Sequence, residues 1–259
     1  MRYELTRRAL IAVVLLAMPM AARAADEPVI AAAADLNAVM PEILALFSRQ
    51  TGKTVKLTFG SSGNFAQQIQ NGAPFEVFLS ADEAYVQKLE AAGKTEDAGT
   101  LYATGRIGLF EPANSPTRAD FADLAAAVAD GRLTKFAIAN PEHAPYGRAA
   151  REALIHAGLW DAIQPKLVLG ENVAQATQFA TAGSAQGGII PLSLALTPQV
   201  KAAGTFTLIP VEWHRPLRQR AVLLKGAGET AQAFYAFLQT PPARAILVRY
   251  GFVLPGETS

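Results

Sequence analysis

Four short apolar runs of this chain end in clusters of small or hydrogen-bonding residues, and each cluster opens a helix-like segment. The clusters lie at residues 31–35, 59–64, 140–147 and 171–174. The first turn of a helix leaves backbone N–H groups unpaired, and the aligned peptide dipoles add partial positive charge there, so each helix start can receive an oxyanion. A single Ser, Asp or Asn at such a place is ordinarily a helix cap. Four such places predict an oxyanion site if they converge.

The donors at these clusters are neutral. They comprise the hydroxyls and amides of Ser61 and Ser62, the amides around Ala34 and Asp35, the amide and hydroxyl of Tyr146, and the amide of Val173. A hydrogen bond to a charged partner contributes about 1.5–3 kcal/mol, so four to seven of them reach roughly micromolar binding after the costs of association. No Arg or Lys is needed for such a site.

The pattern of strands followed by helices predicts parallel α/β sheets, in which ligands bind beyond the carboxyl ends of the strands. Asp35 is predicted to be the N-cap of the first helix, directly after the first strand. A complete α/β unit lies between two crossings of the chain, which predicts two lobes with a cleft between them. We place lobe 1 at residues 25–106 plus 215–259 and lobe 2 at residues 107–214.

Composition excludes several classes of protein. The chain has 259 residues, 51% of them hydrophobic, and its 23 basic and 22 acidic residues are interspersed. The sequence therefore predicts no basic surface, and nucleic acid is not expected as a partner. The absence of cysteine removes thiolate chemistry and disulfides. Neither a Walker phosphate loop nor a Gly-x-Gly-x-x-Gly fingerprint is present, so no cofactor is expected.

The N-terminal segment predicts export. Arg2, Arg7 and Arg8 precede an apolar run at residues 9–17, and Ala-Arg-Ala at residues 22–24 matches a signal-peptidase site, so residues 1–24 are predicted to be a cleaved signal peptide. The alternative is a retained membrane anchor, but the run is shorter than the roughly 20 residues that a spanning helix needs. The general secretory and twin-arginine routes both stay open.

Enzyme chemistry has weaker support. A hydrolase using Ser62 remains an alternative, although the Gly-x-Ser-x-Gly spacing is missing and no His and acid pair stands nearby in the sequence. His143, His156 and His214 lack metal-ligand spacing. The residues therefore predict binding without catalysis.

Several stretches of the chain resemble the periplasmic molybdate-binding proteins of ABC uptake systems. Two are specific: Asn-Gly-Ala-Pro-Phe-Glu-Val-Phe-Leu-Ser-Ala-Asp at residues 71–82, and Asn-Pro-Glu-His-Ala-Pro-Tyr-Gly at residues 140–147. Shorter matches lie at residues 60–63, 67–69, 171–173 and 249–255. Together they run in order along nearly the whole mature chain.

The resemblance implies an α/β type II periplasmic binding protein fold, with two lobes joined by two crossing strands that close on molybdate or tungstate. It implies a periplasmic monomer that delivers its ligand to an ABC permease, with molybdenum held as an oxyanion and not by direct protein ligands. The ligand contacts that it implies fall on Ala34, Asp35, Ser62, Tyr146 and Val173. With the donors of Ser61, they form the predicted site.

Two positions depart from the family pattern. The first is the Ala34–Asp35 pair. One branch of the family has a hydroxyl residue where this chain has Ala34, so a side-chain donor is missing, and Asp35 places a carboxylate beside a dianion unless that carboxylate turns toward its own helix as a cap and offers only its amide. Pro191 stands where some members have a tyrosine that contacts the anion. These departures keep open a second hypothesis, the same fold binding another oxyanion such as sulfate.

Overall fold

The computed structural model describes residues 27–257, which form two five-stranded mixed sheets flanked by helices. The predicted signal peptide at residues 1–24 lies outside the described residues. Across residues 27–257, no helix combines the length and the apolar character needed to cross a membrane.

The first lobe is built on the sheet with strand order β2-β1-β3-β10-β4. β1 pairs in parallel with β2 and β3, whereas β10 is antiparallel to both of its neighbours, β3 and β4. Its strands are β1 (Val29–Ala33), β2 (Lys56–Gly60), β3 (Val77–Ser80), β4 (Thr100–Gly105) and β10 (Leu217–Leu223). Its helices are α1 (Met40–Thr51), α2 (Ser62–Gln70), α3 (Glu83–Ala91), α10 (Glu229–Phe237) and α11 (Pro241–Arg249).

The second lobe is built on the sheet with strand order β7-β6-β8-β5-β9. β6 is parallel to β7 and β8, and β5 is antiparallel to β8 and β9. Its strands are β5 (Ile107–Pro112), β6 (Phe136–Ala139), β7 (Leu167–Gly170), β8 (Gly188–Pro191) and β9 (Gly204–Leu208). Its helices are α4 (Phe121–Ala129), α5 (Pro145–His156), α6 (Trp160–Ile163), α7 (Val173–Thr181), α8 (Leu192–Ala195) and α9 (Pro198–Ala203).

Two crossings join the sheets. The chain leaves the first sheet at Gly105 and enters the second at Ile107, with Arg106 between them. It returns between β9 and β10 through a 3-10 turn at Val211–Trp213. Two α/β lobes with two crossings are the predicted fold, which is confirmed; the exact residue limits of the lobes remain a prediction.

The predicted parallel pairing holds for β1, β2 and β3 and for β6, β7 and β8, but both sheets are mixed because β5 and β10 run against their neighbours. These are the strands that carry the chain into each lobe from the other. Six helices and strands were also missed: β4, α6, α8, α9, β9 and α11. Glu111 and Pro112 continue β5 and pair with β9 inside the second sheet.

Asp35 is not the N-cap of the first helix. It lies within a 3-10 turn, Ala34–Leu36, that follows β1 and has no side-chain cap. The helix begins five residues later at Met40 and has Pro41 in its first turn, where proline's missing N–H costs nothing. The Asp35 carboxyl is consequently free to bond elsewhere.

Apolar packing continues from one lobe into the other around the cleft. Ala33, Ala34 and Ala81 from the first lobe belong to the same buried cluster as Tyr146 and Val173 from the second. Small side chains on the first lobe allow the helix starts of the second lobe to approach its strand ends closely. The fold thereby brings the predicted clusters to one place.

Candidate anion-binding site

The four predicted clusters converge on one small cavity between the lobes, with a volume of about 10 Å³. All six predicted site residues line it: Ala34, Asp35, Ser61, Ser62, Tyr146 and Val173. Neighbours from the same strand ends complete the lining, namely Ala33, Gly60, Ala81, Ala144, Pro145 and Asn172. Room on this scale excludes a sugar or a peptide.

The two serines of the first lobe have different partners. Ser61 is the N-cap of α2, and its Oγ accepts a hydrogen bond of 3.3 Å from the Asn64 N–H. Ser62 is the first residue of α2, and its Oγ accepts a 2.9 Å hydrogen bond from the N–H of Ala81. Because the Ser62 oxygen is the acceptor in that bond, its hydroxyl proton stays free for donation to a ligand. Ser62 is 1% exposed.

The second lobe contributes two helix starts. Val173 is the first residue of α7, whose N-cap Asn172 accepts a hydrogen bond of 3.1 Å from the Gln175 N–H. Tyr146 is the second residue of α5, after Pro145. The amides of Val173 and Tyr146 stand in the first turns of these helices, where the helix itself supplies no acceptor.

The Tyr146 hydroxyl already donates its proton in a hydrogen bond within the protein. It donates a 2.9 Å hydrogen bond to Asp35 Oδ2, and Gln219 Nε2 donates to the same oxygen at 2.6 Å. Tyr102 Oη in turn donates to Gln219 Oε1 at 2.7 Å. This network ties Asp35 to α5 across the cleft, so Tyr146 has its amide rather than its hydroxyl to offer the cavity.

Of the described residues that line the cavity, Asp35 alone has a carboxyl side chain, and it is completely buried. Burial raises its pKa to about 6, although hydrogen bonds from Gln219 and Tyr146 act in the opposite direction. Its Oδ1 atom is buried without a hydrogen-bond partner among the described residues. Within the described part of the chain, no Arg, Lys or His lines the cavity, so the predicted set of neutral donors is supplemented by one carboxyl group.

Contacts beside the cavity hold the two lobes together. The Gly63 N–H of the first lobe donates a 2.9 Å hydrogen bond to the backbone carbonyl of His143 in the second lobe. The Nδ1 atom of His143 lies 2.9 Å from Ser61 Oγ. Arg148 of α5 forms an ion pair with Asp82. Gly63 has to be a glycine here, because a Cβ at this position would lie 2.5 Å from the His143 carbonyl oxygen. These contacts form only while the lobes meet.

Sequence reasoning missed several residues that build the site. Gln219 and Ser193 reach Asp35 from distant parts of the chain: Ser193 Oγ donates to the Asp35 carbonyl at 2.7 Å. His143, for which the sequence predicted no metal role, bonds across the cleft to Ser61. The one local signal was Gln219 itself, a polar residue at an inward position of a strand, which is 0% exposed. Pro191 is the last residue of β8 and does not line the cavity. It therefore does not replace the tyrosine that contacts the anion in some family members.

Two lobes, two crossings and a small cavity of buried donors between them define a bilobal solute-binding protein. Residues 28–253 match the family model described as bacterial extracellular solute-binding protein. The chain is 40% identical over 248 residues to the molybdate-binding protein ModA of Rhodobacter capsulatus, covering 95% of this chain and 94% of that protein.

Among solved structures, the periplasmic molybdate-binding protein of Azotobacter vinelandii superposes with a TM-score of 0.79 at 32% identity, covering 88% of this chain and all of that one. The sulfate-binding protein SubI of Mycobacterium tuberculosis has a TM-score of 0.72 at 16% identity, covering 89% of this chain and 87% of that one, a likeness of fold alone. The chain therefore belongs to the extracellular solute-binding proteins, in the ModA family.

Proposed function

We propose that this protein captures molybdate or tungstate between its two lobes and delivers it to an ABC permease. The observation that carries the proposal is the cavity to which each lobe contributes helix starts, with Ser62 and Val173 on opposite sides. Relatives of this family that are named for molybdate binding support the choice of anion.

The mode of binding follows from the donors. A dianion in the cavity receives the Ser62 hydroxyl and first-turn amides of α2, α5 and α7, each aided by a helix dipole. These donors carry no full charge, so desolvation costs little before binding. Lobe closure buries the anion and completes the contacts at Gly63 and Arg148, and opening of the lobes releases it.

A second oxyanion, sulfate, stays as the alternative because Asp35 alters the family pattern at the cavity itself. Tetrahedral dianions share the need for neutral donors and differ mainly in size. Isothermal titration calorimetry of the purified protein with molybdate, tungstate and sulfate separates the hypotheses. We expect tight binding of molybdate and tungstate and far weaker binding of sulfate; equal affinity for sulfate would contradict the molybdate assignment.

We propose that the protein has no catalytic role. The serine that meets a histidine is Ser61, whose oxygen also caps α2, and the Glu171 carboxylate is 3.6 Å from the far ring nitrogen of His143 and 71% exposed. Ser62 has the Ala81 amide as its partner instead. Turnover of a p-nitrophenyl ester that is lost in Ser61→Ala or Ser62→Ala would overturn this.

We further propose that the protein works in the periplasm as a monomer, after removal of residues 1–24, and binds neither nucleic acid nor a cofactor. The sequence of the N-terminal segment and the interspersed charges support these points. N-terminal sequencing of the exported protein tests the cleavage site, and sedimentation analysis with and without molybdate tests the monomer.

A further inference from the structure

The carboxyl of Asp35 has one satisfied oxygen and one that is not. Oδ2 accepts from both Tyr146 Oη and Gln219 Nε2, at 2.9 and 2.6 Å. Oδ1 is buried and has no hydrogen-bond partner in the described part of the chain. Since Asp35 lines the cavity, a ligand in the cavity can supply the hydrogen-bond partner that Oδ1 lacks.

Among residues 27–257, no cation balances this carboxyl. The 3-10 turn that carries Asp35 packs against β2, α7 and α8, and these elements contain one ionisable residue, Lys56, which pairs with Val29 at the opposite end of the strands. From α5 and β10 it meets Tyr146 and Gln219, and Tyr102 of β4 in turn bonds to Gln219.

The charged residues on the elements that bring those three side chains are engaged with other groups or lie toward the outside. Arg148 pairs with Asp82 and Glu152 with Arg215, and both Arg218 and Arg220 pair with Glu83. Arg151 lies over the ring of Trp160, and His156 stacks on Trp213. Burial raises the pKa of both Tyr102 and Tyr146 well above the usual value, so neither tyrosine supplies charge.

An ionised Asp35 and a dianion cannot share this cavity cheaply, because two like charges would be buried together without a counter-charge. A protonated carboxyl removes the repulsion and gains an O–H donor. We propose that Asp35 enters the complex as a neutral carboxylic acid whose Oδ1 hydroxyl donates a hydrogen bond to the bound oxyanion, so that capture of each anion takes up one proton. The inference rests on the proposed function.

Uptake of a proton on binding makes the affinity for the anion fall as the pH rises. The binding reaction combines the carboxylate, one proton from solvent and the dianion into a complex that holds the neutral acid. Affinity therefore falls about tenfold for each unit that the pH rises, wherever Asp35 is ionised in the open protein and protonated in the complex. Burial already raises the pKa of this group to about 6, and a neighbouring dianion raises it further.

Calorimetry with molybdate between about pH 6 and 8, in two buffers with different heats of ionisation, measures both the slope and the proton count. For the wild-type protein we expect a slope near minus one and uptake of one proton. In Asp35→Asn, an amide of nearly the same shape always has a donor, so the slope and the proton uptake should vanish and binding at about pH 8 should be tighter than in wild type.

The matched control is Glu111→Gln. Glu111 is also a buried carboxyl, and burial raises its pKa to about 7, but it lies at the end of β5 among Ser115 and Gly187, away from the cavity. This variant should keep the wild-type slope.

The outcomes separate the two proposals. Molybdate binding with a flat pH profile and no proton uptake in wild type overturns the role of Asp35 and leaves the proposed function intact, even if the Asp35→Asn variant fails to fold. A slope that persists in Asp35→Asn overturns it as well. Absence of binding to any oxyanion at every pH overturns the proposed function, and the inference with it.

Discussion

The two lobes equip the cavity in different ways. The first lobe presents the Ser62 hydroxyl and the Asp35 carboxyl in addition to the first-turn amides of α2, whereas the second presents only backbone amides, those of Tyr146 and Val173 at helix starts. Many substitutions change a side chain, whereas only proline removes a backbone N–H. The side chains that can set the site's preference for one anion over another therefore lie in the first lobe. The second lobe supplies backbone amides that bind anions in general.

The largest expected effect comes from deleting an amide of the second lobe. Val173→Pro removes the N–H at the first position of α7, where proline is well tolerated, and Asn172 before it already has the extended conformation that precedes a proline (φ −149°, ψ 174°). We expect molybdate affinity to fall by roughly 3 kcal/mol, about 150-fold, because a donor to a charged group is lost.

Val173→Ala is the control for that change, since it trims the buried side chain and keeps the amide. It should lower the melting temperature while leaving the affinity within a few-fold of wild type. If the two variants bind equally well, the amide of Val173 makes no contact with the anion, and the role assigned to the second lobe is wrong.

The next largest effect tests the place where the lobes touch. Gly63→Ala puts a Cβ 2.5 Å from the His143 carbonyl oxygen, a backbone atom that no rotamer change can move away. Overpacking of this kind typically costs about 1–3 kcal/mol, and here it falls on lobe closure rather than on the folding of either lobe. We expect weaker anion binding with an unchanged melting temperature in the absence of anion; a lowered melting temperature would place the strain within the first lobe instead.

Ser62→Ala tests the side-chain contribution of the first lobe. Loss of the hydroxyl donor should weaken binding by roughly 1–3 kcal/mol. Ser61→Ala is the neighbouring comparison: its hydroxyl caps α2, so we expect about 1 kcal/mol less folding stability and a smaller loss of affinity. Equal affinity of Ser62→Ala and wild type in calorimetry would remove Ser62 from the site.

Local sequence signals predicted much of this arrangement and failed where distant contacts decide the outcome. Ser61 and Asn172 are caps whose position before a helix is readable from residue type alone, and both cap as expected. Asp35 has the same local signal and does not cap. Its partner Gln219 is 184 positions away, and Pro41, in the first turn of α1, marks a later helix start.

The sheet topology shows the same limit. Strand and helix alternate visibly along the chain, which gave the α/β lobes, but the direction in which β5 and β10 pair is set by the crossings between lobes. Gln219 pairs with Ala103 across the sheet, and this register brings the Gln219 side chain to the Tyr102 hydroxyl. The residues of β10 alone show that Gln219 lies at an inward position but do not identify Tyr102 as its partner. The convergence of the clusters was thus predictable, whereas the network beneath them was not.

The smallest expected effect distinguishes the Tyr146 hydroxyl from its amide. Tyr146→Phe removes the hydrogen bond to Asp35 Oδ2 and keeps the backbone at the start of α5, so the anion loses no donor. Loss of a bond to the carboxyl favours its neutral form, which the complex requires, and this partly offsets the loss of a contact across the cleft. We expect less than about a tenfold change in affinity, measured by calorimetry with molybdate near neutral pH. A loss as large as that of Val173→Pro would mean that the hydroxyl leaves Asp35 and binds the anion when the lobes close, and the second lobe would then contribute a side chain after all.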